Sequence, residues 1–212
     1  MSNIKIKICG IKTTSVLDCC NDLGVNYFGL IFYKKSPRNI NTKEATNLIN
    51  IQKKNNIIPV GVFVNHNFSD LIELIKITNL KYVQLHGSEN NNYISKLKDK
   101  KKLTVIKVIN IQKENDLQQT ELYPNADFFL FDYKSKKNEL PGGNAKSFKW
   151  SILKDKNIAK PWFISGGVNK NNINKLLENT TPYGIDISSG VEDRPGIKNT
   201  NKIKEIVKII ND

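Results

Sequence analysis

Short runs of β-branched and aromatic residues alternate with longer stretches of helical period along all 212 residues, and this alternation constrains the fold more than any other feature of the chain. The runs predict strands at 4–9, 26–32, 57–63, 81–86, 103–108, 126–132, 161–165 and 183–187. Helices are predicted at 13–23, 41–54, 67–78, 88–100, 111–122, 147–153 and 169–179, with a last one at 199–211. Strands joined through helices run parallel by right-handed crossovers. Eight such units close naturally into an α/β fold of the (β/α)8 TIM-barrel kind, whose functional face lies at the C-terminal ends of the strands. An open doubly wound sheet is the alternative, but the first βα turn, Cys9-Gly10-Ile11-Lys12, carries no Gly-x-Gly-x-x-Gly fingerprint. Thr13 or Thr14, Asn41, Ser88 and Asn169 suit helix N-caps, and Pro161 and Pro182 interrupt the chain before the last two strands. No linker rich in Pro, Gly or Ser divides the chain, so one domain over residues 1–212 is expected.

Side chains alternate across a strand with period two, so polar residues inside an apolar run betray the inner face. Ile4, Ile6 and Ile8 share one side of the first strand and belong against helices, which turns Lys7 and Cys9 inward. The same reasoning places Gln84, His86, Lys107, Leu130, Asp132 and Asp186 inside. An isolated charge there would be too costly, and strand eight neighbours strand one in a closed barrel. Asp186 is therefore expected to pair with Lys7.

The formal net charge of +13 raises nucleic acid or an anionic membrane as partners. Lysines recur on nearly every helix and loop, however, and form no basic stripe interleaved with aromatics, so neither partner is expected. No apolar run is long enough to span a bilayer and no charged-then-apolar leader follows Met1, which fits a soluble, cytoplasmic protein. Cys9, Cys19 and Cys20 suggest neither a disulfide framework nor a zinc site, and Cys19 and Cys20 read as small hydrophobes in a helix.

The residues with chemical potential lie at strand ends. Cys9 is followed by Gly10, which permits a sharp turn and leaves the thiol at the barrel mouth, unless the thiol is simply buried. Asp132 ends Phe128-Phe129-Leu130-Phe131, where a carboxylate is either structural or a general acid in a desolvated setting. Arg38, in a loop after the second strand, stands out against a lysine background beside only Arg194, and its planar fork suits a carboxylate, unless it is simply a solvated loop arginine. Ser165-Gly166-Gly167-Val168 and Ser188-Ser189-Gly190-Val191-Glu192 follow strands seven and eight, the two loops between which barrel enzymes frequently bind phosphate. His86 lines the wall or supports it; with only His66 for company, a metal site is not expected.

In this order, KICGIK at 7–12, SPR at 36–38, VGVF at 60–63, VQLHG at 83–87, the strand ending in Asp132, GG at 142–143, SGGV at 165–168 and GIDISSGVE at 184–192 resemble phosphoribosylanthranilate isomerase along essentially the whole chain. The resemblance implies a ribulose-phosphate-binding barrel that performs an Amadori rearrangement in tryptophan biosynthesis. Asp132 would then be the general acid and Cys9 the general base. Arg38 would bind the substrate carboxylate, and Gly166, Gly167, Ser188, Ser189 and Gly190 its phosphate. Lys7, His86 and Asp186 would line or support the site. No cofactor or metal would be needed, the partner would be a small phosphorylated substrate, and a monomer is expected, with a homodimer as alternative. One departure concerns the loop after strand six, where the family usually continues Thr-Gly and this chain has Asn144-Ala145. Competing expectations are a sister phosphate-binding barrel of tryptophan or histidine biosynthesis, and a basic nucleic-acid-binding barrel without activity.

Overall fold

In the computed structural model, which describes residues 4–52, 56–135, 139, 141–143 and 145–212, eight parallel strands close into a barrel in chain order. They are β1 (Lys5–Cys9), β2 (Tyr27–Ile31), β3 (Ile58–Phe63), β4 (Tyr82–Leu85), β5 (Thr104–Ile111), β6 (Phe128–Tyr133), β7 (Trp162–Ile164) and β8 (Gly184–Ile187). β8 returns to β1 in a register that sets Lys7 beside Asp186. Among the described residues, six α-helices cover the strands: α1 (Thr14–Asp22), α2 (Thr42–Ile51), α3 (Phe68–Thr78), α4 (Asn91–Lys100), α5 (Ile173–Asn179) and α6 (Thr200–Asn211). Asn41 starts α2 with a full capping box, its side chain accepting from Glu44 N while Glu44 accepts from Asn41 N. Residues 53–54 of the predicted second helix lie outside the described residues.

Two crossovers depart from the expected α-helices. Residues Glu114–Leu122 and Trp150–Leu153 form 3-10 helices. In the first, Asp116 accepts from the N–H groups of both Gln112 and Lys113, which offers the chain start a local alternative to α-helical bonding. Leu122 is 64% exposed, so that segment has little apolar face to bind it down. Two helix starts also shift: Asn90 rather than Ser88 caps α4, and Asn172 rather than Asn169 precedes α5. A short antiparallel hairpin, β9 (Glu192–Arg194) with β10 (Ile197–Lys198), follows β8 and has no counterpart in the sequence expectations.

The barrel wall separates two apolar clusters. Ile6, Ile8, Phe129, Phe131, Ile185 and Ile187 pack outward among the helices. Tyr27, Val60, Ile106, Val108, Leu130 and Phe163 fill the interior, joined at their edge by a 2.9 Å hydrogen bond between the Tyr27 and Tyr183 hydroxyls. This packed floor leaves the polar residues to the C-terminal mouth.

Lys107 contradicts the sequence expectation. Ile106 and Val108 belong to the interior cluster while Val105 and Ile109 belong to the outer one, so the period of two sends Lys107 outward. There its ammonium donates to Gly87 O at 2.6 Å, meets Glu89 Oε2 at 3.3 Å and lies 5.2 Å from the centre of the Tyr123 ring. β5 is apolar on both faces, so polarity alone misassigns its single lysine. Val105, Ile109 and Ile111 share parity with Lys107 and carried the correct signal.

Candidate functional site

The β1 strand ends at Cys9, and the turn that follows depends on Gly10. Its φ of +83° is left-handed, and a Cβ there would stand 2.8 Å from Arg38 Cδ. Gly29, paired with Cys9 in the neighbouring strand, leaves room for the thiol; a Cβ at Gly29 would fall 2.6 Å from Cys9 Sγ. Beneath the thiol, Lys7 donates to Asp186 Oδ1 at 2.8 Å, as the strand alternation predicts. Burial alone would depress the Lys7 ammonium, but attraction to Asp186 and to Cys9 holds it above its ordinary value. Burial also pushes the Cys9 thiol up, with Asp186 adding to the effect and the cations Lys7, Lys198 and Arg38 opposing it. Lys7 thus favours the thiolate as its position suggests, while burial remains the largest influence on the thiol.

Asp132 ends β6 with its carboxylate at the mouth. Oδ1 accepts from Tyr133 N at 2.8 Å, and Oδ2 lies 3.3 Å from His86 Nε2, without the alignment of a hydrogen bond. The other ring nitrogen of His86 lies 3.3 Å from the Gln84 side-chain amide nitrogen. His66, by contrast, sits apart with its ring edge-on to Phe63.

Arg38 is held by the turn after β2, where its N–H donates to Ser36 Oγ at 3.1 Å. Its guanidinium is already engaged. Nε and Nη2 each donate to Glu192 at 2.8 Å, and Nη2 also reaches Gly143 O at 3.3 Å. Burial would raise the Glu192 carboxyl, but hydrogen bonds from Arg38 and the proximity of Lys198 hold it below its usual range. Lys198 donates to Glu192 Oε1 at 2.6 Å and to both oxygens of Ser188, whose hydroxyl in turn donates to Cys9 O at 3.0 Å. Burial pulls the Lys198 ammonium down while Glu192 opposes that shift.

Two adjoining cavities open at this mouth. The larger, about 550 Å³, is lined by Cys9, Arg38, Gln84, His86, Asp132 and Asp186, together with apolar Ile31, Val62 and Val64. The smaller, about 320 Å³, is lined by Asp132, Gly166, Gly167, Asp186, Ser188 and Ser189, with Lys146 and Tyr133 at its edge. Cys9, Arg38, His86, Asp132, Gly166, Gly167, Asp186, Ser188 and Ser189 are thus brought together as the sequence suggested. Lys7 stands behind the lining, and Gly190 lies against the Val168 carbonyl outside both cavities. Sequence reasoning missed Glu192 and Lys198 as neighbours of Arg38, because their approach depends on the β9–β10 hairpin. It also missed Gly29, whose only signal was a glycine inside an apolar strand.

After β6, Gly142 stands beside His86 and Asp132. Asn144 lies outside the described residues, but Ala145 adopts a φ of +55°, the left-handed conformation suited to the glycine that it replaces in the family pattern. Among the described residues no cluster of three or more His, Cys, Asp or Glu could hold a metal ion, and no helix is long and apolar enough to cross a membrane.

Nearly the whole chain has counterparts of known sequence and structure. A family model described as N-(5'-phosphoribosyl)anthranilate (PRA) isomerase matches residues 6–209. The N-(5'-phosphoribosyl)anthranilate isomerase of Rhizobium etli (strain CIAT 652) is 40% identical over 202 residues, 94% of this chain and 90% of that protein. Monomers of the dimeric phosphoribosylanthranilate isomerase from Thermotoga maritima superpose with a TM-score of 0.83 at 28% identity, covering 98% of both chains. A phosphoribosylanthranilate isomerase solved with reduced 1-(o-carboxyphenylamino)-1-deoxyribulose 5-phosphate gives 0.84 at 27% identity, again with 98% of both chains covered.

Proposed function

The chain belongs to the phosphoribosylanthranilate isomerase family, and on that premise we propose how its residues divide the reaction, with Cys9 as general base and Asp132 as general acid. The reaction is the Amadori rearrangement of N-(5'-phosphoribosyl)anthranilate to 1-(2-carboxyphenylamino)-1-deoxyribulose 5-phosphate in tryptophan biosynthesis. Asp132 gives a proton to the furanose ring oxygen, the C1–O bond breaks, and the nitrogen lone pair forms the Schiff base. Cys9 as thiolate then removes the C2 proton, and the electron pair moves to yield an enolamine that tautomerises to the ketone. One group must hold a proton while the other has lost one, which calls for two different environments. Cys9 is surrounded by Lys7, Lys198 and Arg38, the cations able to support a thiolate.

The observation that carries this reading is a single cavity lined by Cys9, Asp132 and Arg38. Arg38 holds the anthranilate carboxylate at one end, and Gly166, Gly167, Ser188 and Ser189 take the phosphate at the other, with Gly190 allowing the two loops to approach. Fixing both ends sets the ribose between acid and base. His86 and Asp186 flank the reacting carbons, and Lys7 supports Cys9 from below. One barrel domain carries all of these residues, and in this proposal it acts as a monomer, with a homodimer as the alternative, in the cytoplasm on a small phosphorylated substrate without metal or cofactor.

The test is turnover by purified protein, with substrate generated in situ from anthranilate and phosphoribosyl pyrophosphate, in the presence of a chelator. Undiminished turnover is expected. Cys9→Ser and Asp132→Asn should each lower kcat by about 10² to 10⁴ while leaving the fold intact. Near-parental kcat in either variant would remove that residue from its role.

A further inference from the structure

The guanidinium of Arg38 has five N–H donors in a rigid fork. Glu192 occupies the edge formed by Nε and Nη2, with both bonds at 2.8 Å, and Gly143 O takes the remaining Nη2 hydrogen at 3.3 Å. Among the described residues Nη1 has no hydrogen-bond partner. The fork therefore cannot turn to offer its Nε edge, and the Nη1 end is what remains for a ligand. Charge matters as much as direction. Arg38 and Glu192 alone would nearly cancel, and a neutral pair attracts an anion poorly. Lys198, 2.6 Å from Glu192 and with its side chain 2% exposed, returns the trio to a net positive charge.

We propose that Glu192 and Lys198 are positioning residues that aim Arg38 and offset its counter-charge, and so set the preference of this site for a substrate bearing a carboxylate on its aromatic ring. This rests on the assignment of Arg38 as the carboxylate anchor. Neither residue touches the reacting atoms. The Gly143 carbonyl sits where a carboxylate oxygen bonded to Nη2 would sit, and an arriving carboxylate that takes both Nη1 and Nη2 displaces this weaker contact. Lys202 adds rigidity by donating to Glu192 O at 2.7 Å, which pins the backbone of the residue that does the aiming.

The readout is a ratio of two affinities, measured by titration calorimetry. One probe is reduced 1-(2-carboxyphenylamino)-1-deoxyribulose 5-phosphate; the other is the same compound with phenyl in place of carboxyphenyl. Parental protein should prefer the carboxylated probe by about ten- to a hundred-fold, the span of a hydrogen bond between charged groups. Glu192→Asp keeps the charge but shortens the reach, and Lys198→Gln keeps a donor for Ser188 but removes the charge. Each should cut the preference by about tenfold, at the low end of that span. An equal loss for both probes would mean a merely structural role, and it would overturn the proposal, as would an unchanged preference in both variants. Should Lys198→Gln fail to fold, Lys198→Met must show the same fall in the ratio. No preference in the parental protein would instead defeat the assignment of Arg38 itself, and the proposal with it.

Discussion

Lys7 and Lys107 sit within apolar strands, are both almost fully buried and both meet a carboxylate, yet they serve opposite faces of the barrel wall. Lys7 points inward, bonds Asp186 at 2.8 Å and borders Cys9, and these neighbours lift its ammonium above the ordinary value against the cost of burial. Lys107 points outward to carbonyls of Leu85 and Gly87, with Glu89 at 3.3 Å, and there burial wins and pulls the ammonium down. A close anion outweighs desolvation where a looser anion and neutral dipoles do not. Glu89 also accepts from Asn65 N and Gly87 N, so the outer lysine ties together the turns after β3 and β4. One lysine is placed to act on chemistry and the other to hold backbone.

The largest effects should separate these two roles. Lys7→Met strands Asp186, and leaving a buried carboxylate unpaired costs about 3–5 kcal/mol, whereas in Lys107→Met Glu89 keeps its bonds from Asn65 N and Gly87 N and the loss should be smaller. Denaturant unfolding should show the larger loss for Lys7→Met. Their kinetics should differ: Lys7→Met also removes the nearest cation from Cys9, and each unit by which the thiol rises lowers the thiolate fraction about tenfold. Lys107→Met should keep kcat within a few-fold while Lys7→Met loses about tenfold or more. Equal losses of kcat would erase the distinction, and an Asp186→Ala variant as stable and active as the parent would deny the inner pair any role.

A second contrast concerns alkaline pH. Cys9 and Cys20 are held above the ordinary thiol range by burial, Cys20 rising to about 12, and Lys7 is raised as well. The folded state therefore keeps protons that the unfolded chain releases from about pH 8.5 upward, the ordinary thiol value. The contribution of these groups should be flat below that point and fall as pH climbs toward 12. Lys107, lowered instead, contributes in the opposite sense just below the ordinary lysine value. Denaturation midpoints that rise between pH 8.5 and 10.5 would reverse the assigned signs.

The smallest effect lies in the loop after β6. Ala145 at a φ of +55° carries a left-handed strain of about 1 kcal/mol, which Ala145→Gly should relieve in part. A fall in melting temperature for that variant would mean that the loop gains more from alanine's restricted backbone than it loses to strain.

Eight strands, their order and the inward turn of Lys7, Cys9, His86, Asp132 and Asp186 were legible because one face of each of these strands is unbroken apolar sequence. Lys107 was misread, since its polarity on an otherwise apolar strand drew attention from the parity of Val105, Ile109 and Ile111, which held the signal. Glu192 and Lys198 were equally hidden: their meeting with Arg38 is made by a two-strand hairpin outside the barrel, across 154 residues of sequence. The 3-10 crossovers escaped because helical period alone does not register the side-chain bonds of Asp116 to the backbone.

The division of labour between Cys9 and Asp132 is tested most directly by single turnover of substrate deuterated at ribose C2. Cys9 is assigned the breaking of that C–H bond, and Asp132 the ring opening that precedes it. Cys9→Ser should therefore show a full primary isotope effect, and Asp132→Asn, limited by ring opening, an effect near unity. The same effect in both variants, or a large effect confined to Asp132→Asn, would contradict the assignment.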